Sequence, residues 1–284
     1  MDTVEDIRSD QDVRRADDVA VQSGVYFLEL SLDWIVLRAS ENIHHLLGES
    51  HVTLIDEPLG KFVHAQALHD LRNLFSRLSA TTGIARAYAV RLTDDPDLVD
   101  IAFQQSDGCV LLEAVPSAGC FGECFGSVGG LIAGLSNARG QALLDGAARR
   151  MRALTGYDRV TLICGNESAE SSRGAFAGTA ATEATMPMLI RDVQAAAIGV
   201  FPREAEDSSA GDALMRACDD EERERLQAEG VRAVLRVPFS VDGISGEFRC
   251  DNRTARHPSF ELHAAAELFA QLVVMRLELD RLRS

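Results

Sequence analysis

The amino-acid sequence predicts an α+β protein of two domains, each with a central antiparallel sheet flanked by helices. The chain has 284 residues, whereas a single hydrophobic core usually stops growing at about 250 residues. Its apolar fraction of 46% supplies enough side chains for two cores,. Short strand-like segments cluster in two regions, on either side of a stretch at 116–126 that is rich in Gly, Cys and Ser,.

The first domain is expected at 21–117, after a polar, aperiodic arm at 1–20. A helix at 41–47 is bounded by Ser40, a good N-cap, and by Gly48, a good helix end,. Apolar spacing predicts a longer helix at 63–79. Strands are predicted at 25–30, 34–39, 86–92, 98–103 and 109–115,.

The second domain is expected at 125–284 and opens with a helix across 125–154 that ends at Gly156. A final helix at 259–283 starts from Ser259 as N-cap,. A further helix, dense in Glu and Arg, is predicted at 212–228. Strands are predicted at 159–164, 174–178, 187–190, 233–240 and 246–250,.

Charge and hydropathy exclude several classes of protein. A net charge of −16 and a pI of about 4.8 repel phosphate backbones, so no nucleic-acid role is expected,. No run of 18 uncharged apolar residues exists, and we expect no membrane span,. Without a secretory leader pattern, the expected location is the cytoplasm, where the six cysteines stay reduced,.

The sequence lacks the motifs of common enzymes and metal sites. It contains neither a phosphate-binding loop, a dinucleotide fingerprint, a serine nucleophile elbow nor a zinc-protease helix,. Cys120 and Cys124 have no second ligand pair at a zinc-site spacing,. We therefore predict no enzymatic activity and no metal.

The last helix has an apolar stripe, continued by the helix that ends before Gly156. Two explanations are open. The two helices can form a bundle between two copies of the chain and transmit a signal. Alternatively, both simply cover one face of the second sheet.

Several segments together resemble the PAS and GAF domains of bacterial phytochromes, over about residues 20–280. Residues 21–24 lead into a strand, and 38–43 match an "A-S-E-N" helix start. Residues 106–113 resemble the family's "S-D-G" strand. In the second half, 151–160 resemble the family's "R-A-L-T-G-F-D-R-V" segment, and 226–233 resemble its "N-M-G-V-R-A" segment.

The resemblance implies biliverdin as the cofactor and five positions as cofactor-binding. Arg216 matches the propionate-binding arginine, and Glu222 stands where the family has a pocket histidine. Asp251 and Asn252 stand where the family has two histidines after the last strand. Cys218 is the best thiol for covalent attachment, one helical turn from Glu222,.

The resemblance implies a PAS–GAF sensory module in signal transduction, derived from a biliverdin-binding photoreceptor but with most bilin contacts altered or missing. A homodimer through the GAF helices and a signalling partner protein are expected. Two alternatives are a red/far-red photoreceptor that holds its bilin unconventionally, and a ligand-free protein-interaction scaffold.

Overall fold

The computed structural model describes residues 19–78, 83–117, 122, 124–178, 186–202, 209–241 and 243–282. The expected arm at 1–20 lies almost wholly outside these residues. The strands are β1 (Ala20–Gln22), β2 (Tyr26–Ser31), β3 (Val36–Ser40), β4 (Ile84–Val90), β5 (Val99–Ser106), β6 (Cys109–Pro116), β7 (Arg159–Cys164), β8 (Glu167–Ser172), β9 (Met188–Ile190), β10 (Ala197–Phe201), β11 (Ala233–Val241) and β12 (Ile244–Asn252). The α-helices are α1 (His44–Leu47), α2 (His51–Leu54), α3 (Ala65–Phe75), α4 (Phe125–Ala133), α5 (Gly140–Thr155), α6 (Asp220–Ala228) and α7 (Phe260–Arg281).

The strands form two antiparallel sheets within the described ranges, which confirms the predicted fold class. The first sheet has the order β1-β10-β3-β2-β6-β5-β4, and the second has the order β8-β7-β12-β11-β9. Strand β10 comes from the second half of the chain, yet it pairs with β1 on one side and β3 on the other. The two halves are therefore joined by main-chain hydrogen bonds within one sheet.

The first sheet is covered on both faces, as the alternation along β6 shows. Leu112 and Ala114 point into a core with helices α1 to α3. Leu111 and Val115 point to the other side, into a larger core with α5, α7 and the second sheet. Glu113 shares that second face and is completely buried, accepting hydrogen bonds from the backbone N–H groups of Leu214 and Met215 at 2.8 and 2.7 Å.

Several sequence predictions agree with the structure at their key residues. Gly48 ends the first short helix in the left-handed conformation with φ 75°, and Gly156 ends α5 in the same way. Ser259 caps α7 by accepting a hydrogen bond from the backbone N–H of Leu262. Ser40 does precede a helical turn, but its hydroxyl accepts from the backbone N–H of Phe27 instead of capping.

Three predicted elements were wrong. The helix expected across 125–154 is broken between Ala133 and Gly140, where Leu135 turns inward to pack beside Gly146. The strand expected at 174–178 lies earlier, as β8, because a tight turn after Cys164 brings the chain straight back against β7. The helix expected at 212–228 begins only at Asp220, because the residues before it are held extended beside β1.

Candidate functional site

The first turn of α6 and the segment before it bring together three of the five predicted site residues, Arg216, Cys218 and Glu222. Asp219 caps the helix by accepting a hydrogen bond from the backbone N–H of Glu222 at 2.7 Å. The Arg216 guanidinium donates to both carboxylate oxygens of Glu222, at 2.8 and 3.3 Å. These two side chains are only 17% and 9% exposed, so they form a largely buried, two-point ion pair,.

The N-terminal segment fixes the backbone at Arg216. Val21 forms a β-bridge with Arg216, and the N–H of Ala217 donates to the carbonyl of Ala20 at 2.8 Å. The Gln22 amide donates to the Arg216 carbonyl at 3.1 Å. Strand β1 thus lies between this segment and β10. Its pairing could not be predicted from sequence, because a three-residue strand shows no periodicity.

The thiol of Cys218 is buried beside the same ion pair. The pKa of Cys218 is raised to about 12, mainly by burial and also by the Glu222 carboxylate, while the Arg216 guanidinium acts in the opposite direction. The thiol is therefore protonated at neutral pH, and the thiolate is the nucleophilic form of cysteine. This environment does not activate Cys218 for covalent attachment.

Asp251 and Asn252 lie in a second cluster, at the end of β12. The completely buried Asp251 accepts hydrogen bonds from the Nε atoms of Arg159 and Arg249, at 2.8 and 2.9 Å. Both arginines also contact Glu229, the C-cap of α6. The amide of Asn252 is engaged locally with Thr254.

An apolar layer separates the two clusters. Glu222 and Glu229 are at opposite ends of α6, about 10 Å apart at the 1.5 Å rise of a helix,. The layer beneath the helix comprises Met188, Ile190, Val193, Cys218, Leu226, Val231 and Val234. The structure thus places the predicted site residues at two ends of one helix, over a small apolar core.

Sequence reasoning also missed an aromatic side chain at this site. Phe176 contacts two guanidinium groups, with the Cζ atoms of Arg159 and Arg253 at 4.4 and 4.1 Å from its ring centroid. Such stacking offsets part of the free-energy cost of removing a cation from water. A lone phenylalanine in an irregular segment gives no signal of this role.

The described residues contain no cluster of three His, Cys, Asp or Glu side chains able to hold a metal ion. No helix in the described ranges is long and apolar enough to cross a bilayer.

Comparison with known proteins matches the chain to phytochromes at the level of fold. A family model described as a PAS fold matches residues 24–117. No curated protein matches the sequence.

Three solved structures illustrate the likeness. The chromophore-binding domain of Stigmatella aurantiaca phytochrome P1 has a TM-score of 0.72 and 21% identity, covering 93% of this chain and 99% of that one. The chromophore-binding domain of an unusual bacteriophytochrome from R. palustris has a TM-score of 0.69 and 21% identity, covering 95% and 99%. The photosensory core module of Stigmatella aurantiaca phytochrome has a TM-score of 0.74 and 19% identity; 93% of this chain matches 60% of that module.

The fold thus corresponds over nearly the whole chain to these domains, so it is the PAS–GAF fold of bacteriophytochrome chromophore-binding domains.

Proposed function

We propose that this chain is a phytochrome-like PAS–GAF sensory module in signal transduction, acting in the cytoplasm without catalysis of its own. The observation that carries the proposal is the match of 93% of this chain to 99% of a phytochrome chromophore-binding domain. Because sequence identity is only 21%, the shared fold supports the role while the ligand must be argued from this chain's own residues,.

The residues at the predicted bilin positions fit that cofactor poorly. A tetrapyrrole needs free donors for its propionates and an apolar slot for its rings. Arg216 is already paired with Glu222, and Asp251 is already shared between Arg159 and Arg249. These contacts support a module in which the inherited bilin contacts are altered.

Helix α7 supports a role in transmission. Its outward face and its C-cap carry four exposed apolar side chains, Leu268, Met275, Leu279 and Leu282, at intervals of seven, four and three residues. This spacing places them on one stripe, as in a helix that pairs with another helix. We propose that two copies of the chain associate through this stripe and that the output partner responds to the helix pair.

Reconstitution tests the proposed function. The protein is purified with biliverdin in excess and its absorbance is recorded between red and far-red, before and after illumination. We expect no stable photoreversible band. Such a band would replace our proposal with a photoreceptor that holds its bilin unconventionally.

Zinc-enhanced fluorescence of the denatured protein tests covalent attachment. We expect no fluorescent band, because the Cys218 thiol is protonated. A band that disappears in Cys218→Ser would contradict this. If no bilin binds and the chain is monomeric, the ligand-free interaction scaffold is the remaining alternative.

A further inference from the structure

The Arg216–Glu222 pair is held in place from both sides by the backbone. Glu222 lies in the first turn of α6, and the Asp219 cap fixes the orientation of that turn. Arg216 lies in an extended segment bonded to β1. The backbone positions of the two charged residues are therefore fixed relative to each other, within reach of the two hydrogen bonds between their side chains.

Every buried guanidinium described at this site already has a carboxylate from the chain. Arg216 is paired with Glu222, and Arg159 and Arg249 share Asp251 and Glu229. The three guanidinium groups are thus balanced by three carboxylates. An incoming carboxylate that took Arg216 would leave Glu222 buried without a partner, which is strongly unfavourable.

We propose that Glu222 is an internal counter-ion that occupies a carboxylate-binding site at Arg216. The site is closed in the natural sequence, and it opens when a neutral residue replaces Glu222. This inference rests on the proposed function in one respect, the choice of a bilin as the probe ligand.

The surroundings define the class of ligand that the opened site accepts. Without Glu222, the Arg216 guanidinium would remain largely buried and would need an anion from solution,. Leu226 and Cys218 belong to the apolar layer next to it. The fitting ligand therefore carries a carboxylate on an apolar body, as a bilin does with its propionates.

A titration with two ligands tests the inference. Biliverdin and its dimethyl ester, which lacks both carboxylates, are titrated into the full chain, and dissociation constants are obtained from visible absorbance. We expect Glu222→Gln to tighten biliverdin binding about tenfold or more, the worth of one charge-assisted hydrogen bond. Binding of the dimethyl ester should not change.

Two control variants accompany this measurement. Glu221→Gln removes the same charge from an exposed, adjacent position of α6 and should leave both affinities unchanged. Adding Arg216→Gln to Glu222→Gln should abolish the gain for biliverdin.

Three results would overturn the inference. The first is an unchanged biliverdin affinity in Glu222→Gln that retains its near-UV circular dichroism. The second is an equal gain for the dimethyl ester, which would mean that only apolar space had opened.

The third result needs no change at Glu222 and is measured on Arg216→Gln that retains its near-UV circular dichroism. Arg216→Gln alone should leave the weak biliverdin affinity of the natural sequence within about twofold; a tenfold loss would show that Arg216 already binds the ligand. The proposed sensory role fails by a separate measurement, the association through α7, which does not involve Glu222.

Discussion

At the scale of single residues, Gln22 connects three parts of the chain. Its amide donates to the carbonyls of Leu189 and Arg216, and its carbonyl accepts from the backbone N–H of Arg191. The side chain is 2% exposed, so none of these groups has water as an alternative partner,. One buried amide therefore holds the N-terminal segment against two stretches of the second half.

Replacing Gln22 should destabilise the whole fold. Gln22→Ala leaves buried backbone groups without partners and should lower the free energy of unfolding by roughly 2 to 4 kcal/mol. Urea denaturation followed by circular dichroism measures this change. Gln66→Ala, at an exposed position of α3, is the control and should change stability by less than about 0.5 kcal/mol,. Equal effects of the two variants would refute the role of Gln22.

Glu113 should make stability depend on pH. The pKa of this carboxyl is raised to about 7, because the effect of burial exceeds the opposite effect of its two backbone N–H donors. Because the folded state holds the proton more tightly than the unfolded state, this group's contribution to stability falls as pH rises from about 4.5 to 7 and is constant above.

Comparison with Glu113→Gln isolates this effect. Between pH 5 and pH 8, the natural sequence should lose roughly 2 to 3 kcal/mol relative to the variant, measured by urea denaturation at both pH values. Glu49→Gln, at an exposed position, should show the same pH dependence as the natural sequence. Parallel pH profiles for Glu113→Gln and the natural sequence would rule out titration of Glu113 in this range.

At the scale of elements, close strand pairing requires a glycine in β12. Gly246 lies opposite Cys164 of β7, and an added Cβ would be 2.0 Å from the carbonyl oxygen of Ile163. The obstacle is backbone, so it cannot move aside as a flexible side chain would. Gly246→Ala should therefore lower the free energy of unfolding by roughly 1 to 3 kcal/mol or more.

Gly130 is the matched control, because it lies inside α4 with open space around an added Cβ. Gly130→Ala should raise stability by roughly 0.5 to 1 kcal/mol through helix propensity. Measured in one denaturation series, the two substitutions should change the free energy of unfolding in opposite directions. Changes of the same sign would contradict the strand geometry at Gly246.

The elements predicted from sequence are those whose signal is local. Helix α7 has its cap at Ser259 and a continuous apolar stripe, so its start is predictable from sequence. The end of α5 is predictable in the same way from Gly156. Strand β10 was missed because its partners, β1 and β3, lie in the other half of the chain. The segment before Asp220 has helical composition but is extended, because backbone bonds to β1 override its propensity,.

The candidate site was predictable only in part, for a similar reason. The resemblance predicts Arg216 and Glu222 as site residues, but their mutual pairing depends on an N-cap and a strand partner. It predicts Asp251 too, but it gives no signal for the partners Arg159 and Glu229, since 92 residues separate Arg159 from Asp251 in sequence.

At the scale of the whole molecule, the exposed stripe on α7 should join two copies of the chain. A substitution of Met275 and Leu279 by Glu puts charge at the centre of the proposed contact and should weaken association at least about tenfold. Light scattering at high micromolar concentration measures the mass. Val52→Glu changes an even more exposed apolar residue, on α2, and should leave the mass unchanged. A monomeric natural sequence would refute the contact.

The strand shared between the halves, β10, also sets an order of events during synthesis. On a ribosome, β1 and β3 leave the exit tunnel early, but β10 follows β1 by about 175 residues. At about 5 to 20 residues per second, that delay is on the order of 10 to 35 s. During this interval the nascent first domain presents β3 as an uncovered edge, a surface on which strands of other chains can add. Completion of the first sheet therefore has to wait for the second half of the message to be translated.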